Sequence, residues 1–153
     1  MKEFRESMKY AGVSAATYYG HKIRNFLSTR QCLLEELVAL RNGFIPDLVI
    51  GPSLHDFHQD HKVVAEEMVR AFKTSASIIC YERPRNHITF NTELFVKLQD
   101  YHIEEKLTLL TYYKSQSHRS YFESDVIVGQ ARTRGVQCGA KYAEAYEVLR
   151  WIL

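Results

Sequence analysis

Apolar residues recur at helical spacing from the start of the chain. Phe4, Met8 and Ala11 share one face of a helix predicted over Lys2 to Tyr10, and Gly12 supplies the stop. Val13 to Tyr19 reads as a short strand or a loop. Ser28, with Gln31 three residues on, resembles a capping box, and the stripe Leu33, Leu34, Leu37 and Leu40 predicts an amphipathic helix that ends at Gly43. The pattern then changes. Pro46 to Pro52 is a short apolar run between breakers, which predicts a strand buried on both faces. Val64, Ala65, Met68 and Phe72 restore the helical period over His61 to Thr74. Ser77 to Tyr81 and Leu94 to Leu98 are further predicted strands. Helices follow over Glu104 to Lys114 and Phe122 to Arg134, and a last strand over Tyr146 to Trp151. Strands that alternate with helices predict an α/β fold with a mostly parallel sheet, whose ligand site lies beyond the carboxyl ends of the strands.

Composition adds little. The chain has 153 residues, 46% hydrophobic and 25% charged, with a net charge of +2, so nothing favours nucleic acid or an anionic membrane as partner. No stretch is long and apolar enough to span a bilayer, and the N-terminal residues have no secretory apolar region. Cys32, Cys80 and Cys138 are odd in number and widely spaced. They predict buried, reduced thiols in a cytoplasmic protein.

The candidate chemistry is concentrated in Ser53-Leu54-His55-Asp56-Phe57-His58-Gln59-Asp60-His61, which follows a strand and opens a helix. His58 and His61 are three apart, so one helical turn aims both at one point. A helix N-terminus disfavours imidazolium, and neutral imidazole is the metal-binding form. Asp60 is placed to orient one of the rings. The plainer reading is a polar turn with Asp60 as the helix N-cap. Two histidines do not complete a zinc site, which takes three protein ligands and a water.

The strand Pro46 to Ile50 followed by Asp56-x-His58-x-Asp60-His61 resembles the second signature of the PIG-L/LmbE family of zinc-dependent N-deacetylases, D-x-H-x-D-H. Lys106 with Ser115-Gln116 resembles that family's K…SQ segment. Arg134-Gly135 with Tyr142-Ala143-Glu144-Ala145-Tyr146 resembles its RG…YAEAF ending, and Arg5-x-x-x-Met8 to Gly12-Val13 is similar to an early helix and turn.

The resemblance implies a Rossmann-like three-layer α/β/α domain and removal of an N-acetyl group from an N-acetylglucosamine-type conjugate. It makes His61 a zinc ligand and His58 the residue that stabilises the oxyanion or protonates the leaving amine, with Asp60 beside it in the catalytic set. Asp56, Arg83, Arg85, Gln116 and Glu144 are the candidate substrate contacts; a solvated basic loop and ordinary structural hydrogen bonding are the competing readings for them. The family's A-H-P-D-D-E loop, which carries two zinc ligands and the carboxylate base, has no counterpart in this sequence. Residues 1–153 are therefore expected to be one domain equivalent to the C-terminal two-thirds of the family's, lacking its first strands. A complementing N-terminal fragment or a homo-oligomer is the expected protein partner. The alternative functions are an inert module of the same fold and, from His55-Asp56, a helical metal phosphohydrolase that the strand at Leu48 to Ile50 argues against.

Overall fold

A computed structural model describes residues 2–153. The fold is α/β and Rossmann-like, a four-stranded sheet flanked by helices. The elements in chain order are α1 (Lys2–Tyr10), α2 (Arg30–Phe44), β1 (Leu48–Pro52), α3 (Gln59–Phe72), β2 (Ser77–Tyr81), β3 (Leu94–Leu98), α4 (Asp100–Thr111), α5 (Ser124–Gln137) and β4 (Tyr142–Arg150), with two single 3-10 turns before α5. The strand order is β1-β2-β4-β3. β1 and β2 are parallel, Leu48 opposite Ser77 and Gly51 opposite Cys80, as expected for strands joined through a helix. The sheet is mixed, however, because β4 runs antiparallel to β2.

The residues form two compact units, one built from residues up to Tyr19 with Phe95–Glu144, the other from Gly20–Leu94 with Ala145–Leu153. In the first, Ile103 of α4, Ala131 of α5 and Tyr142 of β4 form the core, with Leu98, Leu107 and Val128 packed against it. In the second, Met68, Ala71 and Phe72 of α3 pack with Ala76, Ile78 and Cys80, and Leu34, Leu37 and Val38 of α2 close over them.

Several boundaries differ from the sequence reading for local reasons. α2 passes through Gly43 and ends at Ile45, which takes the left-handed conformation (φ 50°) and donates its N–H to the Arg41 carbonyl. Its N-cap is Thr29, whose side chain caps no helical N–H, and the Ser28 hydroxyl turns back to the Asn25 carbonyl, so no capping box forms. α4 starts a turn early, where the Gln99 N–H donates to His102 Nδ1. β1 is an edge strand and is not buried on both faces: Leu48 and Ile50 are 43% and 52% exposed. An apolar cavity of about 380 Å³ runs beside it, lined by Leu40, Phe44, Leu48, Val64, Met68 and Phe72. The cysteines are all free, but Cys32 is exposed and Cys138 half-buried, leaving Cys80 alone in the core. No helix among the described residues is long and apolar enough to cross a membrane.

Gly135, near the end of α5, is fixed by a close approach. A Cβ there would lie 2.6 Å from the Ala140 carbonyl oxygen and 2.8 Å from that of Lys141, both main-chain atoms of the segment that turns through Gly139 (φ 66°) into β4. Alanine is the better helix former by about 1 kcal/mol, but backbone cannot swing aside as a side-chain end can. Gly135→Ala is expected to destabilise the protein by roughly 1–3 kcal/mol. A thermal melt checks this, and an unchanged or raised Tm would show that the segment relaxes freely.

Candidate active site

The site is built where β1 ends and α3 begins, wholly within the second unit. Ser53 follows β1 and is fully buried. Its hydroxyl donates to the Glu147 carboxylate of β4 and accepts the His55 N–H at 3.0 Å. The Asp56 N–H donates to the Ser53 carbonyl, tightening the turn. The chain then enters α3 with His58 as N-cap, its Nδ1 accepting the Asp60 N–H at 3.2 Å. Asp60, the capping residue expected from sequence, is instead the second residue of the helix.

Asp56 is the centre of the cluster. It is 2% exposed, and its oxygens accept the His58 N–H at 2.7 Å, His61 Nδ1 at 2.8 Å and the Asn86 amide at 3.0 Å. Burial alone would raise its pKa; the bonds from the His58 N–H, His61 and Asn86 outweigh that and hold the carboxyl below its usual range. Asn86 in turn belongs to a tight turn over Arg83 to His87, pinned to the first loop by the Phe57 N–H on the Asn86 carbonyl.

These bonds fix opposite tautomers on the two histidines. His61 gives Nδ1–H to a carboxylate, so its Nε2 keeps a lone pair. His58 accepts on Nδ1, so its ring proton is on Nε2. The rings stack at 4.3 Å with an interplanar angle of 21°. Burial lowers the His61 pKa, with Arg83 and His58 adding to the effect and Asp56 opposing it, so the ring is neutral at neutral pH. Nearby, Cys80 is pushed up to about 12 by burial and the Glu147 charge, which rules it out as a nucleophile.

Of the remaining candidates, Arg83 joins the cluster. The Asp60 carboxylate bonds to neither ring: Oδ2 accepts the Arg24 N–H at 2.6 Å, and Oδ1 is buried without a hydrogen-bond partner. The orienting contact suggested for Asp60 is made by Asp56. Arg83 donates to His61 Nε2 at 3.4 Å. Arg85 is exposed on the same turn. Gln116 and Glu144 belong to the first unit, where Gln116 accepts from Arg119 at 2.9 Å and Glu144 pairs with Lys106 at 2.6 Å. Sequence reading missed Glu147, although a signal existed: Ala143, Ala145 and Glu147 alternate along β4 and are all buried.

A zinc ion does not fit the residues present. Among the described residues, no group of three or more His, Cys, Asp or Glu side chains could hold a metal ion. His61 Nε2 is one suitable donor atom, but the Arg83 guanidinium bonds to it, and the His58 ring presents an N–H at Nε2.

No protein-family model matches the chain, and no curated protein matches it in sequence. Solved structures do match its fold. They include GalB, the 4-carboxy-2-hydroxymuconate hydratase from Pseudomonas putida KT2440, with a TM-score of 0.72 at 14% identity over 99% of this chain and 71% of that one. The zinc-inhibited form of teicoplanin deacetylase Orf2 matches at 0.69 and 15% identity, over 95% and 71%. The N,N'-diacetylchitobiose deacetylase from Pyrococcus horikoshii matches at 0.66 and 18% identity, over 97% and 62%.

Proposed function

We propose that this chain carries the imidazole half of a zinc-dependent N-deacetylase site for N-acetylated amino-sugar conjugates, and that it is catalytically inert without further ligands. The observation that carries the reading is the pair of opposed tautomers. One ring of the stack offers a lone pair at Nε2 of His61 and the other offers an N–H at Nε2 of His58. A metal or proton acceptor and an oxyanion donor are different tasks, and Asp56 and the α3 N-terminus assign one to each ring. Two deacetylases among the structural neighbours, one of them acting on N,N'-diacetylchitobiose, support the reaction and the substrate class.

The same geometry limits what the chain does alone. One ligand nitrogen does not hold a catalytic zinc ion, and Asp56, the carboxylate bonded to His61, is committed to three donors and does not serve as a base. The chain spans 71% of the teicoplanin deacetylase and 62% of the chitobiose deacetylase. The purified chain, given N,N'-diacetylchitobiose and zinc, is expected to release no acetate above the uncatalysed rate and to bind zinc more weakly than micromolar. Turnover that a chelator abolishes would overturn the inert half of the proposal and would mean that another carboxylate serves as base.

A further inference from the structure

We propose that Arg83, with His58 as second donor, forms a binding site for an oxyanion, a carboxylate or a phosphate, beside the Asp56–His61 pair. The argument begins from an unbalanced charge. Arg83 is half-buried, and its guanidinium is permanently positive with five N–H donors. Its side chain bonds to His61 Nε2 at 3.4 Å and to Tyr81. Neither partner is a carboxylate: one is an imidazole and the other a phenol.

No carboxylate of the described residues makes an ion pair with Arg83. Asp56 spends its oxygens on His58, His61 and Asn86, and Asp60 faces Arg24. A cation drawn partly out of water without a counter-charge is costly, and folded proteins normally compensate it. A bound anion would supply the counter-charge that this cluster lacks.

The neighbouring donors choose its chemistry. His58 stacks on the ring that Arg83 touches and carries its proton on Nε2. A guanidinium edge with a second N–H nearby suits the two or more oxygens of a carboxylate or phosphate. A cation at His61 Nε2 would instead meet the positive charge of Arg83. The site therefore favours anions over metal ions as it stands, and it does so whether or not the deacetylase reading holds.

The test is titration of the folded chain with sodium acetate and, separately, inorganic phosphate, followed by amide chemical shifts at constant ionic strength. Saturable binding in the roughly millimolar range is expected for at least one of them. Tighter acetate binding would point to a carboxylate ligand, tighter phosphate binding to a phosphorylated one, and either supports the site. Arg83→Gln is expected to weaken binding about tenfold or more. Arg83→Lys, which keeps the charge and loses the fork, should lie between, and His58→Gln should weaken it several-fold. Lys73→Gln, an exposed charge at the far end of α3, serves as control and should leave binding within twofold. If Arg83→Gln does not fold, the Arg83→Lys and His58→Gln variants decide. The proposal is overturned if neither anion saturates, or if folded Arg83 and His58 variants bind as tightly as the parent.

Discussion

Asp56→Ala is expected to lower stability by about 3–5 kcal/mol, because three donors lose a buried carboxylate that accepts from all of them. Three donors would lose their acceptor at once: the His58 N–H, His61 Nδ1–H and the Asn86 amide. Asn86 also ties the 83–87 turn to the 53–58 turn, so the loss should spread through both loops. Denaturant unfolding measures it, and a change under 1 kcal/mol would mean that the network contributes little.

The same residues predict the response to acid. The folded pKa values of His61 and Asp56 are both lowered, so the folded state binds fewer protons than the unfolded chain at each group's ordinary pKa. Stability is fully present at high pH. It begins to fall below about pH 6.5 as the unfolded imidazole protonates, and falls again below about pH 3.9 for the carboxyl, continuing down through each lowered folded value. In Asp56→Asn the second contribution from this residue should be absent.

The second large effect concerns the division of labour between the histidines. Fused behind a segment bearing the A-H-P-D-D-E loop, the chain is expected to bind zinc, and His61→Ala should abolish that binding. Loss of one ligand from three leaves the metal weakly held. His58→Ala should retain zinc and lose about 10²–10³ in kcat, the usual cost of an oxyanion donor. Equal zinc affinity in the parent and His61→Ala would remove the ligand role. Loss of zinc in His58→Ala would contradict the tautomers, because a ring with Nε2–H is not a ligand in that state. Zinc binding is read directly by calorimetry, so the two roles separate without reference to rate.

The sequence by itself determined the periodic part of this protein. The 3.6-residue spacing of Val64, Ala65, Met68 and Phe72 and the β-branched run Ser77 to Tyr81 predicted α3 and β2 because burial on one face or both is written directly into residue order. It also singled out the candidate site, since polar residues between an apolar strand and an amphipathic helix have few structural reasons to include three histidines and two aspartates. The contacts were not legible in it. Whether Asp56 or Asp60 orients a ring depends on which residue becomes the N-cap, and His58 took that place, turning Asp60 toward Arg24 and Asp56 toward His61. The Glu147 bond to Ser53 joins residues 94 apart, and the exposure of Leu48 and Ile50 depends on β1 lying at the sheet edge. Periodicity reports which face of an element is apolar. Only the folded chain decides what that face meets, because strand order and the pairing of distant loops are set by packing across the whole sheet.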